Sequence, residues 1–201
     1  MKGILICLLI GYVLGSFLTA VFVVKRATGK DVSEIGSGNP GMANVMSNVG
    51  KKEGVLVLLG DIGKTALAMA LAWLACRGSL GHEALLWSGF GAILGHNYPF
   101  WRKFKGGKGV AVSAAWLVVL LWPWGALTSI AGGLITILTG WLPLGAVLIP
   151  LFALPAAFLK GKVYGLVVLA SLLLMLVKHW PGLVKILKGE EERKFRKGKK
   201  A

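Results

Sequence analysis

Seven long apolar stretches, separated by short polar connections, account for most of this chain. They cover residues 4–24, 54–75, 84–99, 109–121, 126–139, 144–159 and 163–177. A helix needs about 20 mostly apolar residues to cross the hydrocarbon core of a bilayer, and several of these stretches approach or reach that length. The pattern predicts an all-α protein, a membrane bundle of about seven transmembrane helices.

The fourth and fifth stretches allow a second interpretation. Pro123 and Gly125 interrupt the apolar pattern between them, and a proline inside a helix removes a backbone donor and clashes with the preceding turn. The two stretches are either separate spans or one broken, re-entrant pair, which would leave five full crossings. Both counts are odd, so the two termini are predicted on opposite sides of the membrane.

Basic residues in the connections predict the orientation. Lys and Arg are concentrated in residues 25–52, in residues 102–108 and in the segment after Lys178. Because cytoplasmic loops carry an excess of these residues, we place the three segments in the cytoplasm and the N-terminus outside. Lys160 and Lys162 are the exception, since this topology places them on the outer side of the membrane.

The composition agrees with a membrane protein. Of the 201 residues, 56% are hydrophobic and 15% are charged, and the mean hydropathy is +0.73, whereas soluble domains contain about 25% charged residues. The net charge of +15 fits cytoplasmic anchoring beside anionic lipid, so we expect no nucleic-acid partner. We predict one membrane domain over residues 1–189 and a basic cytoplasmic tail over residues 190–201.

Two further features of the apolar stretches argue against a cleaved signal peptide and against a metal site. The first stretch is long for the core of a signal peptide, and its small residues lie within it, so we expect it to be retained. Cys7 and Cys76 lie within or at the end of apolar stretches and lack the spacing of metal ligands. We therefore expect packed thiols and no metal site.

One connection contains small and polar residues suited to binding phosphate. It includes Gly36, Ser37, Gly38 and Asn39, followed by Asn44. Closely spaced glycines let the backbone adopt positive φ values and approach a ligand, and successive N–H groups in such turns bind anions. Ser37, Asn39 and Asn44 add side-chain donors. An ordinary interhelical turn is the alternative, since the same residue types favour turns.

A second connection leads directly into the fourth apolar stretch and reads Lys105-Gly106-Gly107-Lys108-Gly109. Lysine charges, backbone N–H groups and the positive end of a helix dipole all attract anions there. It is not a Walker A loop, because Val110 stands where Ser or Thr is required. A simple cytoplasmic anchor would explain the lysines but not the glycines. Together the two loops predict two phosphate groups bound side by side.

Three ionisable residues near the apolar stretches are further candidates. His96 precedes the second loop and is suited to donating to a phosphate, to acid or base chemistry, or to a purely structural role. Asp61 and Lys64 lie three residues apart on one face of a predicted helix and are expected to pair. Ionisable residues within a membrane favour a functional hypothesis. The expected pairing of Asp61 with Lys64 weakens that hypothesis, because a structural ion pair would also explain both residues.

These motifs resemble those of the bacterial acyl-phosphate-dependent glycerol-3-phosphate acyltransferases, the PlsY family. The matching segments occur in family order over nearly the whole chain. They are residues 36–41 with Asn44-Val45, residues 50–52, Gly60-Asp61 with Lys64, Gly95-His96 with Tyr98-Pro99, residues 104–111 and residues 187–191.

The resemblance implies a multi-helix enzyme of the bacterial cytoplasmic membrane. Such an enzyme moves a fatty acyl group from acyl phosphate to the 1-hydroxyl of glycerol 3-phosphate and so forms lysophosphatidic acid. We expect no cofactor and no metal ion. The residues carried over to the phosphate sites are Gly36, Gly38, Asn39, Asn44, Lys105, Gly106, Gly107, Lys108 and Gly109.

Three residues are assigned to the reaction itself. An acyl phosphate is already activated, so positioning and stabilisation of the leaving phosphate suffice, and we expect direct transfer without an acyl-enzyme. Ser37 is expected to orient a phosphate or a hydroxyl. The base is His96, His179 or a phosphate oxygen of the substrate itself.

The chain departs from the family pattern at three informative positions. Ala43, Ser47 and Gly182 stand where the family usually has threonine, arginine and asparagine. Of the third family motif, over residues 178–183, only His179 is retained. Because lysine cannot reproduce the bidentate contacts of arginine, a non-catalytic or substrate-switched paralogue stays open. A small transporter of a phosphorylated solute is the other alternative.

Overall fold

The computed structural model of the protein describes residues 1–193, which form nine α-helices and two short 3-10 helices. The α-helices are α1 (Lys2–Gly15), α2 (Thr19–Thr28), α3 (Met42–Asn48), α4 (Lys51–Leu80), α5 (Glu83–Asn97), α6 (Val110–Leu120), α7 (Trp124–Thr139), α8 (Leu142–Lys160) and α9 (Lys162–Leu187). The 3-10 helices are Val32–Glu34 and Phe100–Arg102. The predicted all-α class is confirmed. Most of the predicted basic tail, residues 194–201, lies outside the described residues.

Four helical segments within residues 1–193 are long and apolar enough to cross a membrane. They are Lys2–Thr28, which combines α1 and α2, Lys51–Leu80, Leu142–Lys160 and Lys162–Leu187. Val110–Leu120 and Trp124–Thr139 are shorter apolar helices. The count of seven spans, its five-span alternative, the single membrane domain and the orientation remain predictions.

Two helices extend beyond the apolar stretches that predicted them. α4 continues to Leu80, so the connection between the second and third apolar stretches contains only Gly81 and His82. α9 continues past Val177 through Pro181 to Leu187. Lys178 and His179 end the apolar pattern but not the helix, because a helix is held by backbone hydrogen bonds that do not depend on hydropathy.

Residues 1–116 form one compact unit, and its central contact is the packing of α1 against α5. Gly11 and Gly15 of α1 lie against the backbone of Ser88 and Ala92, while Gly91 and Gly95 of α5 lie against the carbonyl groups of Leu8 and Tyr12. A Cβ atom at any of these four glycines would overlap the opposite backbone. The two facing G-x-x-x-G motifs are typical of helices that approach closely in membranes.

The first predicted span is broken between α1 and α2, at residues 16–18. The break frees backbone carbonyl groups, and side chains from elsewhere in the unit satisfy two of them. Trp101 Nε1 donates to the Ser16 carbonyl at 2.8 Å, and Lys64 Nζ donates to the Phe17 carbonyl at 2.7 Å. A continuous apolar stretch gave no indication of this break, although Gly15-Ser16 is a pair at which helices bend.

A small apolar cluster joins α1, α4 and α5. Cys7 and Cys76 are buried free thiols packed with Ala72 and Ala84. Cys76 Sγ also lies 3.8 Å from the carbonyl oxygen of Gly3, to which it donates. The expectation of packed thiols is confirmed.

Residues 117–193 belong to the second compact unit, in which α8 packs against α7 and α9. α7 and α8 approach closely at Gly132 and Gly145, where a Cβ on Gly132 would lie 2.7 Å from the Gly145 carbonyl oxygen. Lys160 Nζ at the end of α8 donates to the carbonyl of Leu120 at 2.6 Å. The cation therefore stabilises the C-terminal end of α6.

We predict that Gly11→Ala lowers the melting temperature of the purified protein in detergent. The added methyl group would overlap the Ser88 carbonyl, and forcing apart well-packed groups costs about 1–3 kcal/mol. Gly63→Ala is the matched control, because a Cβ on Gly63 of α4 meets no other atom within 4 Å. Equal melting temperatures for the two variants in a thermal-unfolding assay would contradict the close contact.

Candidate active site

Hydrogen bonds hold a defined turn over residues 31–41, the connection that contains the predicted phosphate-binding residues 36–39 and is here called the first loop. Asp31 Oδ1 accepts from the Ser33 N–H at 2.9 Å, and Glu34 Oε1 accepts from the Asp31 N–H at 3.0 Å. Gly36 and Gly38 have φ values of +52° and +71°, which glycine adopts without steric cost. The glycine-rich turn expected from the sequence is therefore present.

Asn44, near the start of α3, supports the first loop from within. Its buried Nδ2 donates to the Ile35 carbonyl at 2.9 Å, and its Oδ1 accepts from the Ser37 N–H at 3.0 Å and from Asn48 Nδ2 at 3.1 Å. Both ends of the amide are engaged within the protein. The side chain of Asn44 thus shapes the loop, whereas Ser37 is exposed and Asn39 is half-buried.

The second predicted phosphate loop folds back onto the end of α5. The Gly107 N–H donates to the His96 carbonyl at 2.9 Å. Lys103 and Phe104 have left-handed φ values of +52° and +59°, which non-glycine residues keep only where the surroundings impose them. Gly109, with φ +79°, leads into α6, whose first N–H groups have no acceptor within the helix.

An ion pair joins the two loops. Arg102 Nη2 donates to Asp31 Oδ1 at 2.8 Å, and Nη1 donates to Oδ2 at 3.1 Å. The hydrogen bonds of the guanidinium hold the pKa of Asp31 well below its usual range, and the same bonds raise the pKa of Arg102. A bidentate pair fixes orientation as well as distance, so the first loop is held against the segment that begins the second.

A buried polar cluster lies next to the second loop. Lys64 Nζ is 2.8 Å from Asp61 Oδ1, 2.7 Å from the Phe17 carbonyl oxygen and 2.8 Å from His96 Nδ1. Asp61, Lys64 and His96 are all buried. The predicted pairing of Asp61 with Lys64 is confirmed, but the contact of Lys64 with His96 was not predicted.

The sequence-predicted site residues fall into the two units. Ser37, His96 and both loops belong to the unit that ends at Trp116, and His179 is buried in α9 of the other. Gly182, one helical turn after His179, packs on α8. A Cβ at Gly182 would lie 2.5 Å from Pro143 Cγ, so the asparagine usual in the family does not fit there without displacing Pro143.

Comparison with known proteins identifies the family of this chain. The family model described as glycerol-3-phosphate acyltransferase matches residues 5–189. The chain belongs to this family.

Two bacterial members of the glycerol-3-phosphate acyltransferase family illustrate the similarity. Glycerol-3-phosphate acyltransferase 1 of Lactobacillus johnsonii is 36% identical over 189 residues, which cover 94% of this chain and 91% of that protein. Glycerol-3-phosphate acyltransferase of Paramagnetospirillum magneticum is 36% identical over 185 residues, with coverage of 91% and 90%.

Two crystal structures of PlsY, an integral membrane glycerol 3-phosphate acyltransferase, resemble the fold. The glycerol 3-phosphate form has a TM-score of 0.80 at 27% identity, and the lysophosphatidic acid form has a TM-score of 0.78 at 28% identity. Each covers 94% of both chains. The resemblance drawn from the motifs is confirmed, and the chain is an integral membrane protein.

The Asp31–Arg102 pair predicts a pH-dependent contribution to stability. Because folding lowers the pKa of Asp31, its contribution is present above the unfolded-state value of about 4 and is lost as the pH falls towards the folded-state value. We expect a double-mutant cycle of Asp31→Asn and Arg102→Gln to give a coupling energy of up to about 1 kcal/mol at pH 7. The coupling, measured by thermal unfolding, should be smaller at pH 3, and equal values at both pH values would count against the pair.

Proposed function

We propose that this protein transfers a fatty acyl group from an acyl phosphate to the 1-hydroxyl of glycerol 3-phosphate. The products are lysophosphatidic acid and inorganic phosphate. Membership of the glycerol-3-phosphate acyltransferase family supports acyl transfer to this acceptor. The observation that carries the proposal is the pair of glycine-rich loops joined by Arg102 and Asp31. Both substrates carry a phosphate, and two adjoining loops offer two places for anions.

Each loop contributes its own kind of phosphate ligand. In the second loop, Lys105 and Lys108 supply charge, and Gly106 and Gly109 offer backbone N–H groups, whereas the Gly107 N–H already donates to the His96 carbonyl. In the first loop, the exposed Ser37 hydroxyl orients a phosphate or the acceptor hydroxyl. The residues assigned to phosphate through their backbone N–H groups are Gly36, Asn39, Gly106 and Gly109. Gly38 and Gly107 shape the two turns, because their N–H groups donate to the Ile35 and His96 carbonyls, and Asn44 supports the first loop through its side chain.

The transfer needs little covalent chemistry from the protein. The acceptor oxygen forms a bond to the acyl carbon, the bond from that carbon to the phosphate oxygen breaks, and the phosphate leaves with the electron pair. Holding the two reactants together supplies the proximity effect. Lysines and N–H groups stabilise the charge on the leaving phosphate. The hydroxyl proton passes to His96, to His179 or to a phosphate oxygen of the substrate.

The proposed location is the bacterial cytoplasmic membrane, with both loops and the C-terminus on the cytoplasmic side and the N-terminus outside. Exposed apolar side chains of α4, among them Leu59, Leu67 and Leu74, suit contact with lipid. A fatty acyl donor keeps its chain in such lipid while its phosphate reaches the surface. Glycerol 3-phosphate is charged and water-soluble, so it arrives from the aqueous side.

Direct assay of the reaction tests the proposal. Purified protein in mixed micelles receives acyl phosphate and glycerol 3-phosphate, and lysophosphatidic acid and inorganic phosphate are quantified. We expect equal amounts of the two products. An absence of lysophosphatidic acid, while a known family enzyme is active under the same conditions, would refute the activity. Product from acyl-coenzyme A but not from acyl phosphate would refute the donor.

Two substitutions test the phosphate loops. Lys108→Ala and Ser37→Ala should each lower kcat/KM by about 10²-fold, which is typical for loss of one group that stabilises developing charge. Matched controls are Lys30→Ala, an exposed lysine outside both loops, and Ser79→Ala, an exposed serine near the end of α4. Rates equal to those of the controls would remove the tested residue from the site.

A further inference from the structure

The ammonium group of Lys64 has partners in three different places of the fold. They are Asp61 Oδ1 in α4, the Phe17 carbonyl oxygen at the break between α1 and α2, and His96 Nδ1 in α5, at 2.8, 2.7 and 2.8 Å. A lysine ammonium has three N–H donors and no acceptor. Three partners at hydrogen-bond distance therefore use all of its donors.

The charge balance of this cluster favours the ammonium form. Asp61 and Lys64 are 3% and 7% exposed. A neutral amine beside the Asp61 carboxylate would leave a buried charge without a counter-ion, which is strongly unfavourable, whereas the ammonium makes the pair neutral overall. If the proton lay on Asp61 instead, that carboxyl would donate to Nζ, and the two N–H groups of the amine would still serve the Phe17 carbonyl and His96 Nδ1. Because the ammonium only donates, His96 Nδ1 has to accept and therefore carries the lone pair.

The proton of the neutral His96 imidazole consequently lies on Nε2, since one ring nitrogen donates and the other accepts. Nε2 faces the second loop, where a Cβ on Gly107 would overlap it. The backbone joins the same two residues, because the Gly107 N–H donates to the His96 carbonyl at 2.9 Å. His96 thus contacts the loop through its main-chain carbonyl group and through the protonated Nε2 edge of its ring.

We propose that Lys64 holds His96 as the neutral tautomer protonated on Nε2, and that His96 positions the Lys105–Gly109 loop and is not the general base. The first part rests on the buried cluster alone, and the second part rests on the proposed acyl transfer. For Nε2 to accept a proton, the ring would need its own proton on Nδ1, which lies 2.8 Å from the Lys64 ammonium and 3.7 Å, beyond hydrogen-bond distance, from Asp61 Oδ1. His179 and the substrate's phosphate oxygen then remain as candidate bases.

Nitrogen NMR of the full chain measures the tautomer directly. The protein is labelled with ¹⁵N in its histidine rings and studied in detergent micelles at pH 7, where protonated and unprotonated ring nitrogens differ in chemical shift. The chain has three histidines, and the signals lost in His96→Asn identify His96. We expect Nε2 protonated and Nδ1 unprotonated. The opposite tautomer or a doubly protonated ring overturns the proposal.

The double variant Asp61→Asn/Lys64→Met tests whether Lys64 sets the tautomer. It removes both charges together, so neither is left buried alone. Without the ammonium donor at Nδ1, we expect the His96 signals to shift to a mixture of both tautomers. A single tautomer protonated on Nε2, unchanged from the wild type, overturns the role of Lys64.

Kinetics of His96→Asn separate positioning from base catalysis. Asparagine Oδ1 takes the place of Nδ1 as an acceptor for Lys64, but the amide cannot accept the hydroxyl proton. Loss of a general base lowers kcat by about 10²–10⁴-fold. We expect a fall in kcat of less than tenfold and a pH profile of unchanged shape. A fall of a hundredfold or more, with loss of an ionisation from the profile, overturns the positioning role.

The two proposals fail in different ways. A wild-type protein that forms no lysophosphatidic acid refutes the acyl transfer, and with it the assignment of His96 within that reaction. The NMR result on the tautomer is independent of turnover. A wild type that is active but has His96 protonated on Nδ1 refutes the inference about Lys64 and leaves the acyl transfer intact.

Discussion

The close backbone contact between α1 and α5 is the constraint on which the rest of residues 1–116 depends. It exists because Gly11 and Gly15 face Gly91 and Gly95 without side chains between the helices. The contact brings the end of α1 beside the last turn of α5. His96, the residue after Gly95, can then reach the same ammonium group as the carbonyl at the α1–α2 break. A wider helix spacing would separate these partners.

At the break after α1, a backbone carbonyl group that the helix leaves free becomes the attachment point of the second loop. Unsatisfied carbonyl groups are expensive in an apolar environment, and Trp101 donates to the one at Ser16. The segment that begins with Trp101 continues to Arg102, which binds the first loop, and to Gly107, which binds the end of α5. Contacts at three successive points fix this loop before any substrate arrives, which is how a protein lowers the cost of orienting reactants.

Local features of this molecule were predictable, and long-range ones were not. Apolar length predicted the long helices, although not the break between α1 and α2 or the short α3. The spacing of Asp61 and Lys64 predicted their ion pair, because both residues lie in one helix. The contacts of Arg102 with Asp31 and of His96 with Lys64 join residues 71 and 32 positions apart, and no local pattern links them. The facing G-x-x-x-G motifs were the one available signal for the α1–α5 contact, since such motifs favour close helix packing.

The departures from the family pattern affect side chains and leave the backbone features of both loops in place. At Gly182 the space for an asparagine side chain is taken by Pro143, so this change belongs to the packing of α8 with α9. Ser47 is exposed at the end of α3, and no hydrogen bond that shapes the first loop depends on its side chain. Backbone N–H groups and lysines bind phosphate by charge and by position, without the fixed fork of arginine. We infer that the missing arginine weakens affinity for a phosphate-bearing substrate, while the groups that hold the two loops together are kept.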